Sequence, residues 1–189
     1  MKMRNDCRLA AQVLTTGHPA PRLEWARGFI GYCGNGAWAV ATRGAILRLR
    51  TSSDDAELGR QWRFVWMIRD ADLFATVVDI ARDRSASTTA RLWALKTLAT
   101  YIDPGGNYFL NPPARANGAE PRCIAGRFAG AMHSYAGKPL PANFAAQVRD
   151  AAQPLAADAT QPDQIRNAAR CVNAAPVYAE AMAVDSGDD

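Results

Sequence analysis

Four cysteines are the side chains of this 189-residue chain with the strongest intrinsic chemistry, because a thiol can bind a metal or form a disulfide. They are Cys7, Cys33, Cys123 and Cys171. No Cys-x-x-Cys pair and no cysteine–histidine cluster occurs in the sequence, so the spacing argues against zinc. We therefore expect no metal ion and no cofactor.

The spacing of two of these cysteines suits a disulfide. Cys7 lies about ten residues before a turn near Gly17–Pro19 and Cys33 lies about fourteen after it, so the two reach similar heights along a helical hairpin. Cys123 and Cys171 fall on predicted helices that are not consecutive, and their pairing is less predictable. An even number of cysteines fits an exported protein whose leader has been removed, and buried thiols in a cytoplasmic protein are the alternative.

Apolar residues recur at helical spacing along most of the chain, and no stretch alternates as a strand would. In the clearest segment, Leu73, Phe74, Val77, Val78 and Ala81 form one stripe. Gly and Pro residues separate such segments. We predict an all-α fold with helices at Asp6–Thr16, Pro21–Cys33, Ala37–Arg50, Asp55–Ile68, Ala71–Asp83, Ser87–Ile102, Glu120–Ala136, Pro141–Ala157, Asp163–Ala174 and Val177–Val184. Pro154 is expected to kink or end one of them.

A loose internal repeat supports a stack of helical hairpins. Arg22, Arg60, Arg91, Arg122 and Arg166 align, and aromatic or small residues follow each of them by two or three positions. Several predicted helices are apolar on two sides and need neighbours on both, which a stack provides.

Two stretches of the chain resemble HEAT repeats. One comprises Leu73 to Ala81, Ser85 to Arg91, Ala94 and Leu98, and the other runs from Phe144 to Ala157 and on through Gln161 to Ala169. The resemblance implies a right-handed α–α superhelix of about four hairpins, each with an outer and an inner helix. We expect one such domain over residues 1–184, an irregular insertion over 103–121, and an acidic tail over 185–189.

In HEAT-like stacks the inner helices line the concave surface, and several large or cationic side chains fall on the predicted inner helices. Exposed together, they would form a groove for bases or a peptide, whereas an aromatic at a fixed repeat position also suits the interhelical core. The candidates are Arg27, Trp62, Arg63, Trp93 and Lys96.

The insertion also carries the apolar run Tyr108, Phe109 and Leu110. Loops of this length in compact domains are usually functional or disordered. Tyr108 and Phe109 are therefore either contacts for a ligand or partner, or a plug for a gap in the stack.

The charge is graded along the chain. Residues 1–50 hold 8 basic and 2 acidic residues, a net charge of +6, whereas residues 151–189 hold 2 basic and 6 acidic residues, a net charge of −4.

No apolar run approaches the roughly 20 residues that cross a bilayer. We predict a non-catalytic module for a protein or peptide partner. The alternatives are nucleic-acid binding through the basic half, and a HEAT-like enzyme of the DNA glycosylase or bilin lyase kind with Glu24 beside Trp25 as the candidate carboxylate.

Overall fold

The computed structural model describes residues 2–102, 106–109, 124–127 and 135–174, and this part of the chain is mainly helical. The all-α class predicted from the sequence is confirmed. The helices are α1 (Lys2–Thr16), α2 (Leu23–Ile30), α3 (Asn35–Arg48), α4 (Asp55–Met67), α5 (Ala71–Arg82), α6 (Thr88–Ile102), α7 (Phe144–Ala157) and α8 (Asp163–Ala174). Short strands also occur: β1 (Ile68–Arg69), β2 (Gly106–Phe109), β3 (Ile124–Arg127) and β4 (Tyr135–Ala136).

The helix predicted over Glu120–Ala136 is wrong, because this stretch contains β3 and β4. Strand β3 pairs antiparallel with β2, so that Tyr108 lies opposite Ala125, and β4 pairs parallel with β1, so that Ile68 lies opposite Tyr135. Both partners are distant in sequence. The hydrogen bonds that fix these strands are therefore invisible to local periodicity.

The helices pack in two rows. The odd-numbered helices contact one another in chain order, α1 with α3, α3 with α5 and α5 with α7, and among the even-numbered helices α4 contacts α6 and α6 contacts α8. Each even helix also packs on the odd helix that precedes it. The central helix α6 touches α4, α5, α7 and α8, which explains why Leu95 and Thr97 are both buried although they point to nearly opposite sides of the helix.

Two turns between paired helices share the same hydrogen bonds. In the α5–α6 turn, the Asp83 carboxylate accepts from the Ser85 N–H at 2.8 Å and from its hydroxyl at 2.6 Å. In the α7–α8 turn, Asp158 accepts from the N–H and hydroxyl of Thr160 at 2.9 and 2.7 Å. Asp83 and Asp158 each stand eight residues before an arginine of the aligned set, Arg91 and Arg166.

Helix α7 does not end at Pro154, which lies inside it. A proline has no N–H to donate to the carbonyl four residues earlier, here that of Asp150. The Arg82 guanidinium of α5 donates to this carbonyl at 2.9 Å instead. The contact between α5 and α7 thus gives the Asp150 carbonyl the hydrogen bond that Pro154 cannot donate.

Candidate functional site

Two of the residues predicted for a binding groove lie in the interior. Trp62 on α4 is fully buried, and Arg27 on α2 is only 6% exposed. Neither can meet a partner without unfolding, so we leave both out of the candidate surface. Arg63 also lies on α4, but its side chain is outside the described part of the structure.

Arg27 is buried because it joins α2 to α4 through an ion-pair network. Its Nη2 atom lies 2.7 Å from Oε1 of Glu57, and its Nη1 atom donates to the exposed carboxylate of Glu24. The side chain of Asp54 accepts from the Glu57 N–H at 3.0 Å, which fixes Glu57 in the first turn of α4. Arg60 also pairs with Glu57, at 2.9 Å. This cluster holds α2 against the first turn of α4.

Trp93 and Lys96, the other predicted groove residues with described side chains, form a half-buried cluster on α6. Lys96 Nζ lies 4.7 Å from the centroid of a Trp93 ring, and the Trp93 indole N–H donates to Asp55 at 2.9 Å. The rings of Trp66 and Trp93 are 5.6 Å apart. Burial lowers the pKa of the Lys96 ammonium, against the opposing field of Asp55. The cluster joins α4 to α6 and presents only part of each ring to solvent.

Among the described residues, the most exposed aromatic surface lies on α2 and the 3-10 turn that follows it. Trp25, Phe29 and Tyr32 are spaced i, i+4 and i+7, and we call them the aromatic stripe. The Trp25 and Phe29 rings stack with centroids 5.3 Å apart, and the Phe29 and Tyr32 rings are 6.2 Å apart. Trp25 is 39% exposed and Tyr32 is 77% exposed. Such a contiguous set of exposed rings is typical of an interaction surface.

A disulfide between Cys7 and Cys33 holds the stripe against α1. Its Cα atoms are 5.4 Å apart, and it closes a sequence separation of 26 residues. Cys33 directly follows Tyr32, and its Sγ atom lies 3.7 Å from the Phe29 carbonyl oxygen. The bond therefore ties the 3-10 turn that carries Tyr32 to α1. Cys171 is also disulfide-bonded, and Cys123 lies outside the described residues.

Three exposed arginines lie on the same hairpin: Arg4 and Arg8 on α1, and Arg22 just before α2. None of the three makes an ion pair among the described residues. Sequence reasoning placed Arg22 and Phe29 in the internal repeat, but it did not assign either of them, Tyr32, Arg4 or Arg8 to a binding surface. The i, i+4, i+7 spacing of the aromatics was a signal that could have found the stripe.

A separate cleft of about 440 Å³ opens between α3, α5 and the segment after β4. The two carboxylates and the lysine that line it already have partners. Both Asp70 oxygens accept backbone N–H groups, from Asp72 and Leu73 at 3.0 Å and from Lys138 at 2.8 Å. The Lys138 ammonium pairs with Asp72 and lowers the pKa of that carboxyl. The cleft thus offers Val40 and Arg43 as its accessible groups, with no carboxylate poised for acid–base work.

Glu24, the carboxylate considered for a glycosylase-like reaction, belongs to the Arg27 ion pair. Tyr108 and Phe109 lie on β2, and their side chains are outside the described part of the structure. Within the described ranges, no three metal-ligating side chains lie close enough to share an ion, and no helix is long and apolar enough to cross a bilayer.

Comparison of the chain with protein-family models, with curated proteins and with solved structures finds no match in any of the three.

Proposed function

We propose that the chain is a non-catalytic interaction module that binds a segment of a protein partner along the aromatic stripe. The observation that carries this proposal is the exposure of Trp25 and Tyr32 beside the half-buried ring of Phe29. Exposed, contiguous aromatic rings supply large contact area with few rotatable bonds, and aromatic anchors dominate the energy of protein interfaces.

The proposed scaffold is a right-handed α-solenoid of four HEAT-like hairpins. Its support is the packing of odd helices in one row and even helices in another, with each even helix on the odd helix before it. The matching Asp83–Ser85 and Asp158–Thr160 turns support a repeated unit. In such a scaffold α1 and α2 form the first of the described hairpins, and the exposed aromatic rings that it carries favour a docking role.

A protein partner fits the chemistry better than an enzymatic role does. The candidate carboxylate, Glu24, is held by Arg27 rather than directed among the aromatic rings. The Cys7–Cys33 disulfide is typical of exported proteins, so we propose an oxidising compartment as the place of action.

Peptide display tests the proposal. The full chain, with its disulfides intact, is immobilised and screened against a library of random peptides, and the enriched peptides are synthesised for fluorescence anisotropy. We expect Trp25→Ala to weaken their binding by about 30-fold, the loss that corresponds to about 2 kcal/mol at an interface hot spot. The matched control is Val40→Ala, which removes an apolar side chain that is 69% exposed on α3.

The proposal fails if no peptide is enriched over a blank surface, or if Val40→Ala weakens binding as much as Trp25→Ala does. Circular dichroism of both variants shows whether each keeps its helices.

A further inference from the structure

We propose that the cleft between α3, α5 and the segment after β4 binds a small organic carboxylate, with Arg43 holding the carboxylate group and the apolar wall of the cleft holding the hydrocarbon part. The cleft has a volume of about 440 Å³, which lies within the range of pockets that bind small ligands. The inference is independent of the proposed function, because the aromatic stripe lies on α2 and the turn after it.

Helix α3 forms one wall of the cleft with a single face. Gly36, Ala39, Val40 and Arg43 are spaced i, i+3, i+4 and i+7, so they follow one another along the same side of the helix. The first two are small and leave space, and Val40 beside them is 69% exposed. This wall is therefore apolar except at Arg43.

The opposite wall is fixed by hydrogen bonds of the backbone. The Lys138 N–H donates to the Asp70 carboxylate at 2.8 Å, and the Lys138 carbonyl accepts from the Ala71 N–H at 3.1 Å. The Gly137 N–H donates to the Arg69 carbonyl at 2.8 Å. The segment that carries Gly137 and Lys138 is thus held against the start of α5, and the cleft is preformed.

A buried hydroxyl group orients Arg43. The Arg43 Nε–H donates to Thr76 Oγ1 at 2.9 Å, and the Thr76 hydroxyl donates in turn to the Asp72 carbonyl at 2.9 Å. Thr76 is only 4% exposed. Within the described ranges, the two Nη groups of Arg43 make no hydrogen bond and no ion pair. They form the end-on fork of donors that matches the two oxygens of a carboxylate.

The other charges of the cleft favour a ligand with one negative charge. Lys138 pairs with Asp72, and the Asp70 carboxylate accepts three backbone N–H groups, so neither carboxylate occupies the Arg43 fork. The formal charges of the two acidic and two basic side chains balance. A carboxylate therefore adds less uncompensated charge than a phosphate dianion would, and the apolar wall suits its hydrocarbon part.

An NMR titration tests the inference. The full chain, isotope-labelled and with its disulfides intact, is titrated with hexanoate and with its neutral analogue hexanamide. We expect hexanoate to bind saturably with a Kd of about 1 mM, and hexanamide to bind at least about tenfold more weakly. Hexanoate should also shift the Nε–H signal of Arg43, which is assigned by its loss in Arg43→Gln.

Two arginine variants separate the fork from general charge. Arg43→Gln removes the fork and should weaken hexanoate binding by at least about tenfold. The matched control Arg170→Gln removes an exposed arginine of α8 and should leave the affinity within about twofold. Circular dichroism shows whether each variant keeps its helices.

Thr76→Val tests the positioning of Arg43. The variant keeps the shape of the side chain and the charge of Arg43 but removes the hydroxyl that accepts from Nε. We expect hexanoate to bind about three- to tenfold more weakly, and the Nε–H signal of Arg43 to move in the free protein. An unchanged affinity would contradict the claim that Thr76 aims the guanidinium into the cleft.

Methylphosphonate and acetylnorleucine are the remaining probes. Acetylnorleucine is hexanoate with an acetamido group, so tighter binding of it would identify the ligand as the C-terminal residue of a peptide, and tighter binding of hexanoate would identify a free acid. Either result supports a carboxylate site.

Equal binding of hexanoate and hexanamide, or binding that Arg43→Gln leaves unchanged, would overturn the inference. Tighter binding of methylphosphonate than of hexanoate would also overturn it, in favour of a phosphate ligand. None of these results bears on the aromatic stripe, whose test depends on Trp25.

Discussion

Replacing Glu57 by glutamine removes one negative charge from the network that ties α2 and α3 to α4. Glu57 Oε1 lies 2.7 Å from Arg27 and 3.9 Å from Arg48, and Oε2 lies 2.9 Å from Arg60. Glu57 is 17% exposed and Arg27 is 6% exposed. The variant would therefore leave the Arg27 guanidinium buried with only the exposed carboxylate of Glu24 to balance it.

The expected cost follows from this geometry. Removing one partner of a buried ion pair typically costs about 3–5 kcal/mol, because the other charge remains in a medium of low dielectric constant. Glutamine keeps one acceptor oxygen, and Glu24 still contacts Arg27, so we expect a smaller loss of about 2–3 kcal/mol in the free energy of unfolding. In urea this corresponds to a midpoint lower by about 1 M. On heating, Tm should fall by about 5–10 °C.

The control is Glu24→Gln, which removes the other carboxylate of Arg27. The Glu24 side chain is 77% exposed, and exposed ion pairs contribute less than about 1 kcal/mol. The double variant Arg27→Met, Glu57→Gln should recover part of the loss, since it also removes the buried guanidinium that Glu57 neutralises most directly. Equal losses for Glu24→Gln and Glu57→Gln would refute the argument that burial of Arg27 makes Glu57 important.

Three other perturbations have outcomes set by the structure. The variant Cys7→Ser, Cys33→Ser opens a loop closed over 26 residues, and its urea midpoint should report a loss of about 3–4 kcal/mol from the greater entropy of the unfolded chain. A Cβ atom on Gly137 would overlap an oxygen of the buried Asp70, so thermal melts of Gly137→Ala should show a loss of about 1–3 kcal/mol. Hydrogen bonds from Thr160 and Gln161 lower the pKa of Asp158 to about 2, so this carboxylate stabilises the fold above its unfolded pKa of about 4, and that stability is lost as the pH falls toward 2.

Each of these has a control. The serine variant and the parent are both unfolded without a reducing agent, so that the disulfide of Cys171 stays intact and the difference reports the Cys7–Cys33 bond. An unchanged urea midpoint would contradict the entropic account. Gly36→Ala places a Cβ atom with nothing within 4 Å, so a cost equal to that of Gly137→Ala would contradict the steric argument. Asp158→Asn should flatten the dependence of Tm on pH between about 5 and 2, and the same slope as the parent would exclude Asp158 as its source.

Local sequence patterns were sufficient to predict most of the described helices. The stripe of Leu73, Phe74 and Val77 predicted α5, and all three are buried in it. Helix α8 was predicted over Asp163–Ala174, and the structure has the same bounds. The signals were an apolar period of 3.6 residues and the Gly and Pro residues between segments, and both act within one turn or a few residues of chain.

The strands and the surface needed tertiary contacts. Strands β3 and β4 form because β2 and β1 lie beside them, and no alternation in their own residues indicates this. For the candidate site, the tryptophan positions were evident but their exposure was not. Tryptophans with the same predicted repeat position end up fully buried, as Trp62 is, or exposed, as Trp25 is.

The sequence by itself determined that the chain would form mainly helices and approximately where most of them begin and end, because helix formation depends on neighbours along the chain. The tertiary structure decided which helix faces meet. Trp62 lies on α4, between α3 and α6, whereas α2 is the first even helix and packs mainly on α1. The disulfide and the Arg27–Glu57 pair then set the rotation of α2. Since burial depends on contacts between segments distant in sequence, only the packed molecule separates a core aromatic residue from an exposed one.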